Sequence, residues 1–114
     1  MLRRSVLAAC AIGAAMASSA RAAEPFVGRW AATPAVCASR GGDSAATAAL
    51  VATETSLSWF DGNCRIGKMY KARAVYVQAH CDGKDDVAVT LDAQGNRMRV
   101  TWGKARPQKL VRCP

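Results

Sequence analysis

Histidine is nearly missing from this chain: His80 stands alone among 114 residues. That excludes a site built on paired imidazoles. Acids are also scarce, with 8 Asp+Glu against 16 Lys+Arg. No C-x-x-C occurs, so neither a zinc site of common spacing nor a thiol-redox motif is present. A G-x-S-x-G elbow is lacking, and Gly28, Gly41 and Gly42 do not form a phosphate-binding loop. The length allows one small domain. These gaps argue against an enzyme and give an expectation of no cofactor and no metal.

The N-terminus carries the parts of an export signal. Met1-Leu2-Arg3-Arg4 is a short basic start. Residues 5–17 form an apolar run, too short for a stable anchor, which takes ~20 residues. Ala20-x-Ala22 offers small residues where a signal peptidase cuts. The expected division is a signal peptide over 1–22 and a single disulfide-stapled β domain over 23–114. The expected location is the periplasm or the exterior, with no transmembrane anchor. Cleavage removes Arg3, Arg4 and Arg21 and no acid, so 13 basic residues face 8 acids and the net charge falls from +8 to +5.

Four cysteines then remain: Cys37, Cys64, Cys81 and Cys113. An even number in a short exported chain implies two disulfides, with three pairings open. The strand pattern selects among them. Trp59-Phe60-Asp61-Gly62-Asn63-Cys64 reads as a hairpin with Asp61-Gly62 as a two-residue type I′ turn. That register sets Trp59 opposite Cys64 and Leu57 opposite Ile66. In the next strand, 74–81, Val75, Val77, Ala79 and Cys81 share a face. Pairing back on the Cys64 strand puts Cys64 across from Cys81, which a disulfide accepts. Cys37–Cys113 is left, and it ties the N-terminal segment to the last strand. Each bridge is worth about 3–5 kcal/mol in chain-entropy terms. For a core this small that is a large share of the stability.

Other strands follow from alternation: 26–31, 53–59, 87–91, 98–102 and 109–113, with a polar turn over 92–97 that sets Leu91 against Met98 and Val89 against Val100. Residues 33–49 read as loop, or as one short helix over 45–50 capped by Asp43. The fold class is all-β: a small antiparallel meander of about seven strands, closed as a barrel or left as an open sandwich. Trp30, Leu57, Trp59, Ile66, Val75, Val77, Val87, Val89, Leu91, Met98, Val100 and Trp102 would point inward. They would leave little room for a ligand cavity.

Gly28-x-Trp30 on the first strand resembles the G-x-W opening of the calycins. That resemblance implies a Trp packed at a closed barrel end under a basic side chain from the last strand, here Arg112. The wider layout joins the signal, G-x-W, four cysteines, W-F-D-G-N-C-R-I and a terminal R-C-P. It is similar to a group of small exported four-cysteine bacterial proteins of unknown function, and implies no activity. Calycin-like protease inhibitors insert an N-terminal segment into the enzyme's cleft. The equivalent stretch here is Ala23-Glu24-Pro25-Phe26.

The remaining chemistry is mostly basic. His80 lies on the face opposite Val75, Val77 and Ala79 and points to solvent. Asp82, Asp85 and Asp86 read as a solvated loop, without the spaced ligands of a calcium site. Arg65, Lys68, Lys71 and Arg73 crowd one turn. Arg97, Arg99, Lys104, Arg106 and Lys109 crowd the last two strands, with Arg97 and Arg99 outward. If both clusters meet, they form a positive patch beside Tyr70 and Tyr76 that attracts anions. The anion-binding candidates are therefore Arg65, Lys68, Lys71, Arg73, Arg97 and Arg99. The function expected is a non-enzymatic binding module for an anionic envelope component or a protein partner. The alternative is an inhibitor of a protease or envelope hydrolase. The compartment argues against nucleic acid.

Overall fold

Apolar and polar residues alternate through most of the chain after Leu50, and a period of two builds half-buried strands. The computed structural model describes residues 24–39 and 42–114. The expected signal peptide lies outside them. The strands are β1 (Gly28–Ala31), β2 (Leu50–Ala52), β3 (Ser56–Trp59), β4 (Gly62–Lys71), β5 (Val75–Cys81), β6 (Val87–Gln94), β7 (Arg97–Trp102) and β8 (Gln108–Arg112), with a one-turn helix α1 (Pro34–Cys37). Each strand pairs antiparallel with the next. β8 returns to β1, closing an eight-stranded barrel. Closure removes the exposed strand edges that invite aggregation.

The barrel has eight strands where about seven were expected. The extra one is β2, which lies at the end of the stretch read as loop or helix. Asp43 caps no helix there. Residues 43–48 make bends and turns, held by Thr47 N–H on Ser44 O (3.1 Å) and Ala48 N–H on Ser44 O (3.0 Å). Pairing of Leu50 with Trp30 draws the chain into the sheet instead. The short helix forms earlier, at Pro34, whose fixed φ suits a first helical position.

The stretch 53–59 is a turn followed by a strand. Thr53 Oγ1 accepts the N–H groups of Thr55 (3.1 Å) and Ser56 (2.9 Å). This side-chain turn lets β3 fold back on β2. In the β3–β4 hairpin Trp59 pairs with Gly62 and Leu57 with Cys64, a shift of two residues from the expected register. Gly62, at φ 110°, begins the return strand and is not the second turn residue. The β6–β7 hairpin is shifted likewise: Leu91 pairs with Val100 and Val89 with Trp102. There β6 continues to Gln94, and Gly95 (φ 63°) and Asn96 make the turn. A two-residue slip preserves the side-chain faces, so the core is unaffected.

Trp30, Leu50, Leu57, Leu91, Met98, Val100 and Leu110 fill the interior. Ile66, Val75 and Val87 are only half-buried against that core. Ile66 adjoins the β4 bulge, and Val75 and Val87 are the first residues of their strands, at the rims of the barrel. Disulfides join Cys64 to Cys81, paired directly across β4 and β5, and Cys37 to Cys113. The second fastens the β1–β2 connection to the end of β8.

The segment before β1 spans one barrel end. Phe26 is buried there, and its carbonyl accepts the Trp30 indole N–H at 2.9 Å. Glu24 reaches Lys71 at 2.6 Å. Arg112 donates to Val27 O (2.9 Å), Pro25 O (3.0 Å) and Gly95 O (3.4 Å).

Candidate anion-binding groove on the outer wall

Inward positions hold the core, so chemistry falls to the outward positions. On β7, Arg97 and Arg99 are two residues apart and both exposed. Such neighbours on one face are ~7 Å apart along a strand. Across the sheet, Arg99 faces Asp92 on β6 and Lys109 on β8, and Arg97 faces Gln94 and Val111. These side chains line an open groove of about 610 Å³ over β6, β7 and β8. The groove therefore gathers three cations around one carboxylate. The ion pairs among the described residues are Lys71–Glu24, His80–Asp86 and Lys84–Asp61, all elsewhere. Like charges this close repel, and an anion seated among them relieves the repulsion.

The two basic clusters do not form one patch. Arg65 and Lys68 are on β4, which lies four strands from β8 and so on the opposite side of the ring. Arg65 pairs across with Ser56 and His80. Lys68 lies in the β4 bulge beside Tyr70 and Tyr76. Lys71 is held by Glu24, and Arg73 sits in the β4–β5 turn. Lys104 and Arg106 are in the β7–β8 loop. Of the six expected candidates, the groove unites Arg97 and Arg99 and adds Lys109. Asp92 and Gln94 fall in the stretch whose polar run reads as a turn, but they belong to β6. The alternation Leu91-Asp92-Ala93-Gln94 is the signal that β6 runs on.

Gly28, Trp30 and Arg112 come together at the barrel end spanned by the segment before β1. The Arg112 guanidinium carbon sits 4.3 Å from the Trp30 ring centroid.

His80 is half-buried on the outer wall, with Nδ1 2.7 Å from Asp86 Oδ1. Gln78 Nε2 donates to the other carboxylate oxygen at 3.3 Å. The imidazole lies over Gly67, where a Cβ would collide with it. Sequence reading missed Gly67, although a glycine inside a strand commonly marks close approach. In the same β5–β6 connection as Asp86, Lys84 Nζ bonds Asp61 Oδ1 at 2.6 Å, linking the β3–β4 and β5–β6 turns. That hydrogen bond, helped by the ammonium charge and the Trp102 indole and opposed by burial, holds the Asp61 carboxyl below its ordinary pKa of 3.8. Trp102 Nε1 closes no full hydrogen bond among the described residues.

Among the described residues, no group of three or more His, Cys, Asp and Glu could hold a metal. No described helix is long and apolar enough to cross a membrane. No family model, curated protein or solved structure matches this chain.

Proposed function

We propose that this chain is a non-enzymatic, exported binding module whose outer basic groove takes the phosphate or carboxylate groups of an envelope component. The observation that carries the reading is the in-register convergence of Arg97, Arg99 and Lys109 without an ion pair among the described residues. Two disulfides fit an oxidising compartment, the periplasm or the exterior. The Arg112–Trp30 stack supports the calycin-like reading of the barrel, and that reading alone leads to no particular ligand.

The inhibitor reading stands second. Glu24, Pro25 and Phe26 are engaged by this chain's own Lys71, Arg112 and Trp30, so they are not free to enter a protease cleft. Co-sedimentation tests the binding reading, with anionic phospholipid vesicles in one arm and purified murein sacculi in the other. Binding in either arm that weakens with salt, and weakens further in R97E/R99E, supports it. Binding in neither arm, or binding unaffected by R97E/R99E, overturns it. The two arms separate phosphate from carboxylate sources.

A further inference from the structure

Tyr70 and Tyr76 have no part in the core or the basic groove. They pair directly across β4 and β5 on the outer wall, 68% and 46% exposed. Their ring centroids are 6.1 Å apart and the rings tilt by 36°, so together they form a shallow ledge. Beside it runs an open trough of about 430 Å³, flanked by Lys68, Gln78, Ala88 and Thr90. Ala88, opposite Gln78, is small and leaves the trough low on that side. Lys68 is the one charged residue among those lining it. Among the described residues neither tyrosine hydroxyl has a hydrogen-bond partner. Cross-strand packing explains why two aromatics face each other. It does not explain why both stand out in solvent beside a trough.

We infer that this ledge stacks the sugar rings of a glycan carrying carboxylates. A pyranose presents a flat face of C–H bonds rimmed by hydroxyls. The face packs on an aromatic ring, and the rim finds Gln78, Thr90 and the tyrosine hydroxyls. Lys68 supplies the complementary charge. A protein partner fits less well. Its interface needs about 800 Å² per side around an apolar centre. Among the described residues the other large exposed apolar side chain is Val51, on β2, two strands beyond β4.

This inference goes beyond the reading above, on which it rests for the compartment, by adding a second surface that takes an acidic envelope glycan. The test titrates the isotope-labelled protein with a soluble murein tetrasaccharide of alternating N-acetylglucosamine and N-acetylmuramic acid, followed by NMR. The neutral N-acetylglucosamine tetramer is the comparison. The ring signals of Tyr70 and Tyr76 shift with the acidic glycan. Y70A/Y76A weakens binding by about tenfold or more, the equivalent of one well-packed aromatic contact. Y70F/Y76F retains most of it, and K68E removes the preference for the acidic glycan.

Unmoved tyrosine signals, equal binding of the neutral tetramer, or full binding by a folded Y70A/Y76A would each overturn the inference. Shifts confined to Arg97 and Arg99 would overturn the ledge and leave the groove standing. Shifts at the tyrosines that survive R97E/R99E, with no binding to vesicles or sacculi that needs Arg97 and Arg99, would do the reverse.

Discussion

Arg112 lies over Trp30, its guanidinium carbon 4.3 Å from the ring centroid, and donates to three backbone carbonyls in the same end of the barrel. Gly28 makes room for it. A Cβ there would meet Arg112 Nη1 at 2.7 Å, and the φ of 146° already disfavours other residues. A cation–π contact and charged hydrogen bonds together make Arg112→Ala cost about 3 kcal/mol. Arg112→Lys recovers only part, because an ammonium lacks the planar fork. Gly28→Ala costs about 1–2 kcal/mol through strain and displacement of the guanidinium. Urea denaturation of the oxidised protein measures all three.

The two disulfides should differ in worth. The Cys37–Cys113 bridge spans 76 residues and the Cys64–Cys81 bridge 17. In the chain-entropy model their paired Cys→Ala removal costs about 4.5 and about 3 kcal/mol. Equal losses would contradict that ordering. Loss of the longer bridge also frees the β1–β2 connection, which hydrogen exchange reads as lost protection in β1 and β8.

Asp61 couples the barrel to pH. Its carboxyl titrates below 3.8 in the folded protein, because Lys84 stabilises the charged form. The resulting stability is fully present above that ordinary value and is lost as pH falls through the lower, folded one. With 33% of the Asp61 side chain exposed, the effect is small. Thermal melts from pH 6 to pH 2 should show a loss in the parent protein that is shallower in Lys84→Met.

Gly67 and His80 should be coupled. Alanine in a strand is normally better than glycine by about 0.5–1 kcal/mol. Here a Cβ strikes the His80 ring and comes within 3.2 Å of the Gln78 carbonyl oxygen, so Gly67→Ala destabilises. With His80→Ala already in place, the ring clash is gone and the same change should cost less. Four-way denaturation of the parent, both single variants and the double variant checks this, and additive effects would contradict it.

The fold was largely readable because alternation assigns faces without needing register. Both hairpins slipped by two residues, yet Leu57, Trp59, Val89, Leu91, Met98 and Val100 still face inward. β2 was hidden because its three residues follow an alanine-rich stretch whose local preference points to helix. Only pairing with β1 and β3 makes Leu50–Ala52 a strand. Phe26 continues the strand pattern of 26–31 in sequence, but in the fold it plugs the barrel end before β1 begins. For the groove, the outward pointing of Arg97 and Arg99 followed from their alternation with Met98 and Val100. That Lys109 joins them while Arg65 and Lys68 lie across the barrel depends on strand order and closure. Neither is written in any one segment.

Anion binding on the outer wall is tested most directly by titrating the protein with inorganic tripolyphosphate while following the arginine Nε–Hε signals and the interior methyls by NMR. The Arg97 and Arg99 signals should move together and saturate, with the methyls of Leu57, Leu91 and Val100 unmoved. Shifts of those methyls, or movement of Arg65 and Arg73 with Arg97 and Arg99 still, would contradict a groove on β6, β7 and β8.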